Sequence, residues 1–230
     1  MAILNDDFLH ELAALAGPYP RYKWYMSAMV ALGAMNYPEE IPNLYTRLLE
    51  LYIPKEEHFS ETRKIREAFT KLSGIQGAAK TGSALRQLYN ATPKDLIDPT
   101  RYRKDDTDEV AFARGEEFHE RIYGPNPNYD ENANHLAAPD YDYIVRNYFY
   151  GRIFSFDGIL DDMETGQVIV SCLIGIDCMQ QLRNHMKGMQ YNGARKEEVE
   201  MIREIVVRVA RKLDVRFKPG NPIAVPDIEY

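Results

Sequence analysis

Between Gln167 and Val209 apolar side chains recur at steps of three and four, and that spacing commits the stretch to helices. Val168, Ile169, Cys172 and Leu173 mark the buried face of the first. A second is predicted from about Cys178 to Tyr191, with Asn192-Gly193 as a left-handed stop. The third opens on Glu197 and Glu198, where the helix dipole favours acid. It buries Val199, Ile202, Val206, Val209 and Leu213 and leaves Arg203, Arg208, Arg211 and Lys212 outside. Nowhere does period-two alternation persist long enough to make a strand, so the predicted fold class is all-α.

The rest of the chain follows the same period. Leu4, Phe8, Leu12 and Leu15 predict a short helix over 4–16, ended by Gly17-Pro18. The Met- and aromatic-rich segment Tyr22 to Met35 has the spacing of plain core. Pro38 suits the first turn of the next helix, and Pro54 closes it. Helices are predicted over 60–74 and 78–89, with Gly74, Gly77 and Gly82 allowing close approach. A linker over 90–108 carries the charged run Arg101 to Asp108, read as solvated surface, and leads into a helix over 107–123. This divides the chain into an N-terminal helical unit (1–90), a linker with a connecting helix (91–139), and a C-terminal unit (140–230). Pro219, Gly220, Pro222 and Pro226 make the tail extended, and a neighbouring subunit is the expected surface for it.

The chemistry sits on the second helix of the opening stretch. At about 100° per residue Cys178, Gln181 and His185 share a narrow stripe beside Leu182 and Met189, while Arg183 points to another face. Two readings of His185 stand: a hydrogen-bonded core histidine, or an acid–base group. Glu67 and Lys71 form an i,i+4 pair, either a surface ion pair worth a few tenths of a kcal/mol or a carboxylate turned toward the site. His119 and His135 are placed on the surface.

With 45% hydrophobic residues in 230, the chain can bury a substantial core. A formal charge of −7 and a pI near 5.3 argue against general binding of nucleic acid or anionic membrane. Two cysteines, Cys172 and Cys178, make no disulfide framework and point to a reducing compartment. No two histidines stand at ligand spacing with a carboxylate nearby, so no metal is expected, and there is no glycine-rich nucleotide loop. No run approaches the roughly 18 apolar residues of a membrane span. The first residues do not form a secretory signal, and Ile228-Glu229-Tyr230 is not a Ser-Lys-Leu type address, which leaves the cytoplasm as the expected location.

The run Gln181-Leu182-Arg183-Asn184-His185, followed by Gly188, Asn192-Gly193 and Glu197-Glu198-Val199, resembles the carboxymuconolactone decarboxylase and alkylhydroperoxidase D-like family. So does the approach, Asn147-Tyr148-Phe149-Tyr150-Gly151-Arg152-Ile153-Phe154 and then Leu160-Asp161. The likeness covers about 140 to 210. It extends more weakly to Trp24 through Leu88, where Ile65-Arg66-Glu67-Ala68 and Gly77 look like the degenerate first copy of longer, fungal-type members. It implies two related helical repeats in one unit, a homo-oligomer (dimer or trimer), and a cofactor-free lyase or isomerase. Such an enzyme would move a proton on a small cyclic carboxylic acid or lactone. By this resemblance His185 is the acid or base, with Glu67, Gln181 and Cys178 as catalytic candidates and Arg66, Tyr148 and Trp24 as substrate-binding ones. The peroxidase branch implies a different use of Cys178, as a peroxide-reducing thiolate. Here, however, Gln181 stands where that branch has its second cysteine, and Thr165 stands where the family has an arginine. A non-catalytic small-ligand-binding protein is the third reading.

Overall fold

The computed structural model describes residues 3–229, so Tyr230 of the C-terminal tripeptide lies outside the described residues. The chain is all-α, and the described residues contain no strand. Helix α1 spans Asp6–Ala16, α2 Trp24–Ala34, α3 Ile41–Leu51 and α4 His58–Ala91. Then come α5 (Asp108–Tyr123), two short helices α6 (Ala133–Ala137) and α7 (Pro139–Ile144), and a π-helical segment, Val145–Phe154. Helices α8 (Asp162–Gly175), α9 (Met179–Tyr191) and α10 (Lys196–Lys212) complete the fold.

The hub is α2. Every one of its residues is buried, and it packs on α3, α4, α8 and α10. Its sequence, WYMSAMVALGA, is apolar or small on all sides, as a helix surrounded by others must be. Trp24 belongs to this core. Its ring meets those of Tyr52 at 5.0 Å and Tyr25 at 5.8 Å, so it is a packing residue and not a wall of the candidate site.

Helices α8 and α4 pack together and on α2. A capping box starts α8, with Asp161 accepting from the Glu164 N–H and Glu164 from the Asp161 N–H. Both α4 and the α8–α9 pair bend at one left-handed residue. Gly77, at φ 82° and ψ 170°, breaks α4 where the sequence predicts two helices, and Asp177, at φ 60°, separates α8 from α9.

The charged run 101–108 is not simple solvated surface. Arg103 holds Glu67 through both guanidinium nitrogens and lies 4.1 Å from the Phe156 ring centroid. Asp106 takes two hydrogen bonds from Arg114, at 2.9 and 2.8 Å. Nor is the Glu67–Lys71 pair on the surface. Lys71 is fully buried, its Nζ 3.9 Å from Glu67, and it donates to the carbonyls of Phe154 (2.6 Å), Phe156 (2.7 Å) and Ile153 (3.3 Å). These include the carbonyls left unpaired at the end of the π segment, so the lysine anchors that end to α4. Burial pushes the Lys71 amine down to about 7, with Glu67 opposing.

The tail is extended, as expected, and packs on its own chain. Arg203 donates to the carbonyls of Ile223 and Pro222, each at 2.7 Å, and Gln190 to that of Pro226 at 2.9 Å. Val225 is buried against the core.

Candidate functional site

Helix α5 and the π segment cross at two glycines. A Cβ on Gly115 would stand 2.5 Å from both Cα and N of Gly151, so only glycine at 115 lets the backbones meet. The π segment has i→i+5 bonds, seen where Ser155 N–H reaches the Tyr150 carbonyl at 2.9 Å. Its wider turn puts Val145, Phe149, Tyr150 and Phe154 on one cavity wall, at steps of four or five or of neighbours. Stretches of π-helix of this kind frequently mark functional sites.

That cavity has a volume of about 530 Å³ and opens between α5, the loop after it, the π segment, α8 and α9. His185 lies in its wall, 7% exposed. Its Nε2 is 3.1 Å from the Tyr123 hydroxyl and 3.5 Å from that of Tyr150, and the two hydroxyls are 2.8 Å apart. Beside this cluster His119, 5% exposed, shares a 3.3 Å hydrogen bond with the Tyr129 hydroxyl and packs its ring 4.5 Å from that of Tyr123. Tyr129 and Tyr123 are stacked at 4.3 Å.

Burial decides the charge state here. It lowers His185 to about 3, helped by His119, and lowers His119 to about 4, helped by Arg146. Burial likewise raises the Tyr123 and Tyr150 hydroxyls well above the usual phenol range. The site is therefore a set of neutral hydrogen-bonding groups. At the rim stand two arginines. Arg146 is engaged by Asp142 at 3.3 Å and by Glu116 and Glu131 at 3.4 Å, whereas Arg183 is exposed and has no ion pair among the described residues.

The two depressed histidines predict how stability follows pH. Unfolded, each takes up a proton near pH 6.5; folded, they do so only near 4 and 3. As pH falls below 6.5 the unfolded state binds up to two more protons than the folded one. Stability is thus present above about 6.5 and is lost on the way down, at up to about 2.7 kcal/mol per pH unit. Urea melts at pH 7 and pH 5 are expected to differ accordingly, and the His119→Gln/His185→Gln double variant is expected to flatten the difference in this window.

The sequence-derived candidates divide into two groups. Cys178, Gln181 and His185 are brought together at the cavity as their stripe required. Cys178 is half-buried at the N-cap of α9, while Gln181 is exposed at the rim. Arg183, placed on another face by spacing, also lines the cavity. Glu67 and Arg66 do not reach it. They line a separate surface cleft, where Arg66 pairs with Asp98 at 3.3 Å and Glu67 is held by Arg103. Tyr148 points away, 42% exposed, with Phe112 and Tyr143 as ring neighbours. His119, expected on the surface, is buried in the site, whereas His135 is exposed as expected. Of the site residues missed from sequence, His119, Tyr123 and Tyr129 come from the stretch read as connector, and Tyr150 from the approach to the central helices. The available signal was the i,i+4 series Gly115, His119, Tyr123 on one face of α5.

Among curated proteins the chain is similar to Peroxisomal protein 2 of Schizosaccharomyces pombe. The two are 29% identical over 194 residues, covering 84% of this chain and 88% of the relative. It is also similar to Peroxisomal protein 2 of Saccharomyces cerevisiae, 25% identical, covering 95% of this chain and 98% of the relative. No protein-family model matches the chain, and no solved structure does. The expected cytoplasmic location is overturned by these relatives, both of which are named for the peroxisome. No helix among the described residues is long and apolar enough to cross a membrane.

Proposed function

We propose that the cavity is a cofactor-free acid–base site acting on a small cyclic carboxylic acid or lactone, as a lyase or isomerase, in a peroxisomal protein. The observation that carries this reading is the cluster of His185 Nε2 with the Tyr123 and Tyr150 hydroxyls in the wall of a cavity of ligand size. A neutral imidazole has one nitrogen that donates and one that accepts, so it can pass a proton without charging. The two hydroxyls, bonded to each other and within reach of Nε2, supply proton donors beside the ring. Arg183 at the rim suits a substrate carboxylate better than Arg66, which Asp98 occupies. The bends at Gly77 and Asp177 support the two-repeat reading. The exposed Leu136, Tyr141, Tyr143, Ile144 and Tyr148 give a homo-oligomer an apolar face.

A peroxide-reducing site is the second reading, favoured by one observation: Cys178 lines the same cavity. Cys172 is buried in the core, where burial raises its thiol above the usual range, and both cysteines are free. Calorimetric titration with a panel of small cyclic acids and lactones tests the two readings together. The lyase or isomerase reading expects binding that Cys178→Ser leaves within a few-fold and that Arg183→Ala weakens at least tenfold. No binding by any member of the panel, together with a peroxide-formed sulfenic acid at Cys178, would replace it with the peroxidase.

A further inference from the structure

His185 lines a second opening besides the large cavity. Behind it lies a cleft of about 20 Å³, walled by Phe118, Ile122, Met163 and Met189, with Asn192 beside them. Arg121 and Asp162, an ion pair at 2.8 Å whose side chains are 41% and 39% exposed, stand at the solvent side of the cleft. This volume holds about one water, given polar partners to bind it. The ring offers such a partner. Nε2 faces the two tyrosines, whereas Nδ1 has no hydrogen bond to any described residue.

We propose that Tyr150, Tyr123 and His185 form a proton relay that joins the large cavity to solvent through this cleft, so that protons exchanged with a ligand enter and leave behind His185. The relay rests on the acid–base reading of the cavity for its purpose, but its geometry stands apart from any substrate. In the outward direction a ligand O–H gives its proton to the Tyr150 oxygen as the Tyr150 proton moves to Tyr123. The Tyr123 proton moves to Nε2, and the Nδ1 proton passes to the water of the cleft. Each group loses one bond to hydrogen and gains one. The ligand is left as its conjugate base, the proton goes to solvent, and the protein stays neutral. The ring begins as the Nδ1–H tautomer and ends as the Nε2–H tautomer, which donates to Tyr123. Running the steps in reverse supplies a proton to the ligand. The apolar walls of the cleft confine the path to its polar residues.

Two measurements on the full chain, neither needing a substrate, test the relay. The first is exchange of the His185 ring N–H proton in deuterium oxide, followed by NMR. Met163→Phe, which fills the cleft, is expected to slow exchange at least fivefold, and Gln180→Trp, on the large cavity, to leave it within twofold. The second is nitrogen-15 NMR of the ring. The native protein is expected to show shifts averaged between both neutral tautomers, and Tyr123→Phe to shift that average toward one. If Met163→Phe does not fold, Gly166→Ala serves instead, since its Cβ would meet Met189 Cγ at 3.0 Å and narrow the same cleft. Exchange controlled by Gln180→Trp, or a single fixed tautomer in the native protein, would overturn the relay. Failure of ligands to bind the cavity would instead overturn the acid–base reading.

Discussion

His185→Gln is expected, on the proposed acid–base reading, to lower turnover of a cyclic acid or lactone by about 10²–10⁴-fold, the usual size of a lost acid–base group. The fold should survive, because glutamine is close in length and can still reach the Tyr123 hydroxyl, 3.1 Å from Nε2 in the native chain. What glutamine cannot do is exchange a donor for an acceptor by shifting a proton around a ring. The expected signature is a loss in turnover with little change in KM, because ground-state contacts at the rim are untouched. The sequence allowed a second role for this residue, a core histidine, and the structure makes the contrast measurable. His185 is buried, yet it stands in a cavity wall. A melting temperature lowered by several degrees with turnover per folded molecule intact would assign it to the core.

The largest effect on stability is expected from Gly115→Val. Its Cβ would stand 2.5 Å from Gly151 Cα and N and 3.0 Å from the Tyr150 carbonyl carbon, and all three are backbone atoms that cannot rotate aside. Overpacking typically costs about 1–3 kcal/mol, and more where no side chain can yield. A cost of about 3 kcal/mol lowers the melting temperature by roughly 6–12 °C in a chain of this size. The same change moves α5 away from the π segment. It therefore separates Tyr123 from Tyr150, now 2.8 Å apart, and is expected to abolish ligand binding even in the fraction that stays folded. Gly151→Ala is the milder control, since its Cβ would come no nearer than 3.1 Å, to the Ala111 carbonyl oxygen. Equal melting temperatures for Gly115→Val and the native chain would mean that the two backbones do not cross this closely.

Apolar steps of three and four were enough to place most of the helices. α10 covers Lys196–Lys212 with Leu213 as its cap, and α9 ends at the Asn192-Gly193 stop with Gly193 at φ 95°. One stripe also grouped Cys178, Gln181 and His185, because side chains within about two turns of a single helix keep their relative directions whatever surrounds them. The errors fall where direction depends on another element. A fully buried lysine looks like half of a surface pair until the end of the π segment and the loop after it bring three carbonyls to it. Arg103 and Asp106 belong to a run of charges that composition assigns to water, and only the folded chain supplies Glu67 and Arg114 as their partners.

What the sequence by itself determined, then, is the all-α class, the helix stops, and the face of α9 that carries His185, since each depends on neighbours within a turn or two along the chain. What only the tertiary structure decided is the site's other half. Tyr123 is 62 residues from His185 in sequence and Tyr150 is 35, and they meet it only because two glycines let α5 and the π segment touch. The charge state was decided there as well. An imidazole titrates near 6.5 in water, and it is burial among tyrosines from other elements, a property of no local stretch, that holds this one neutral.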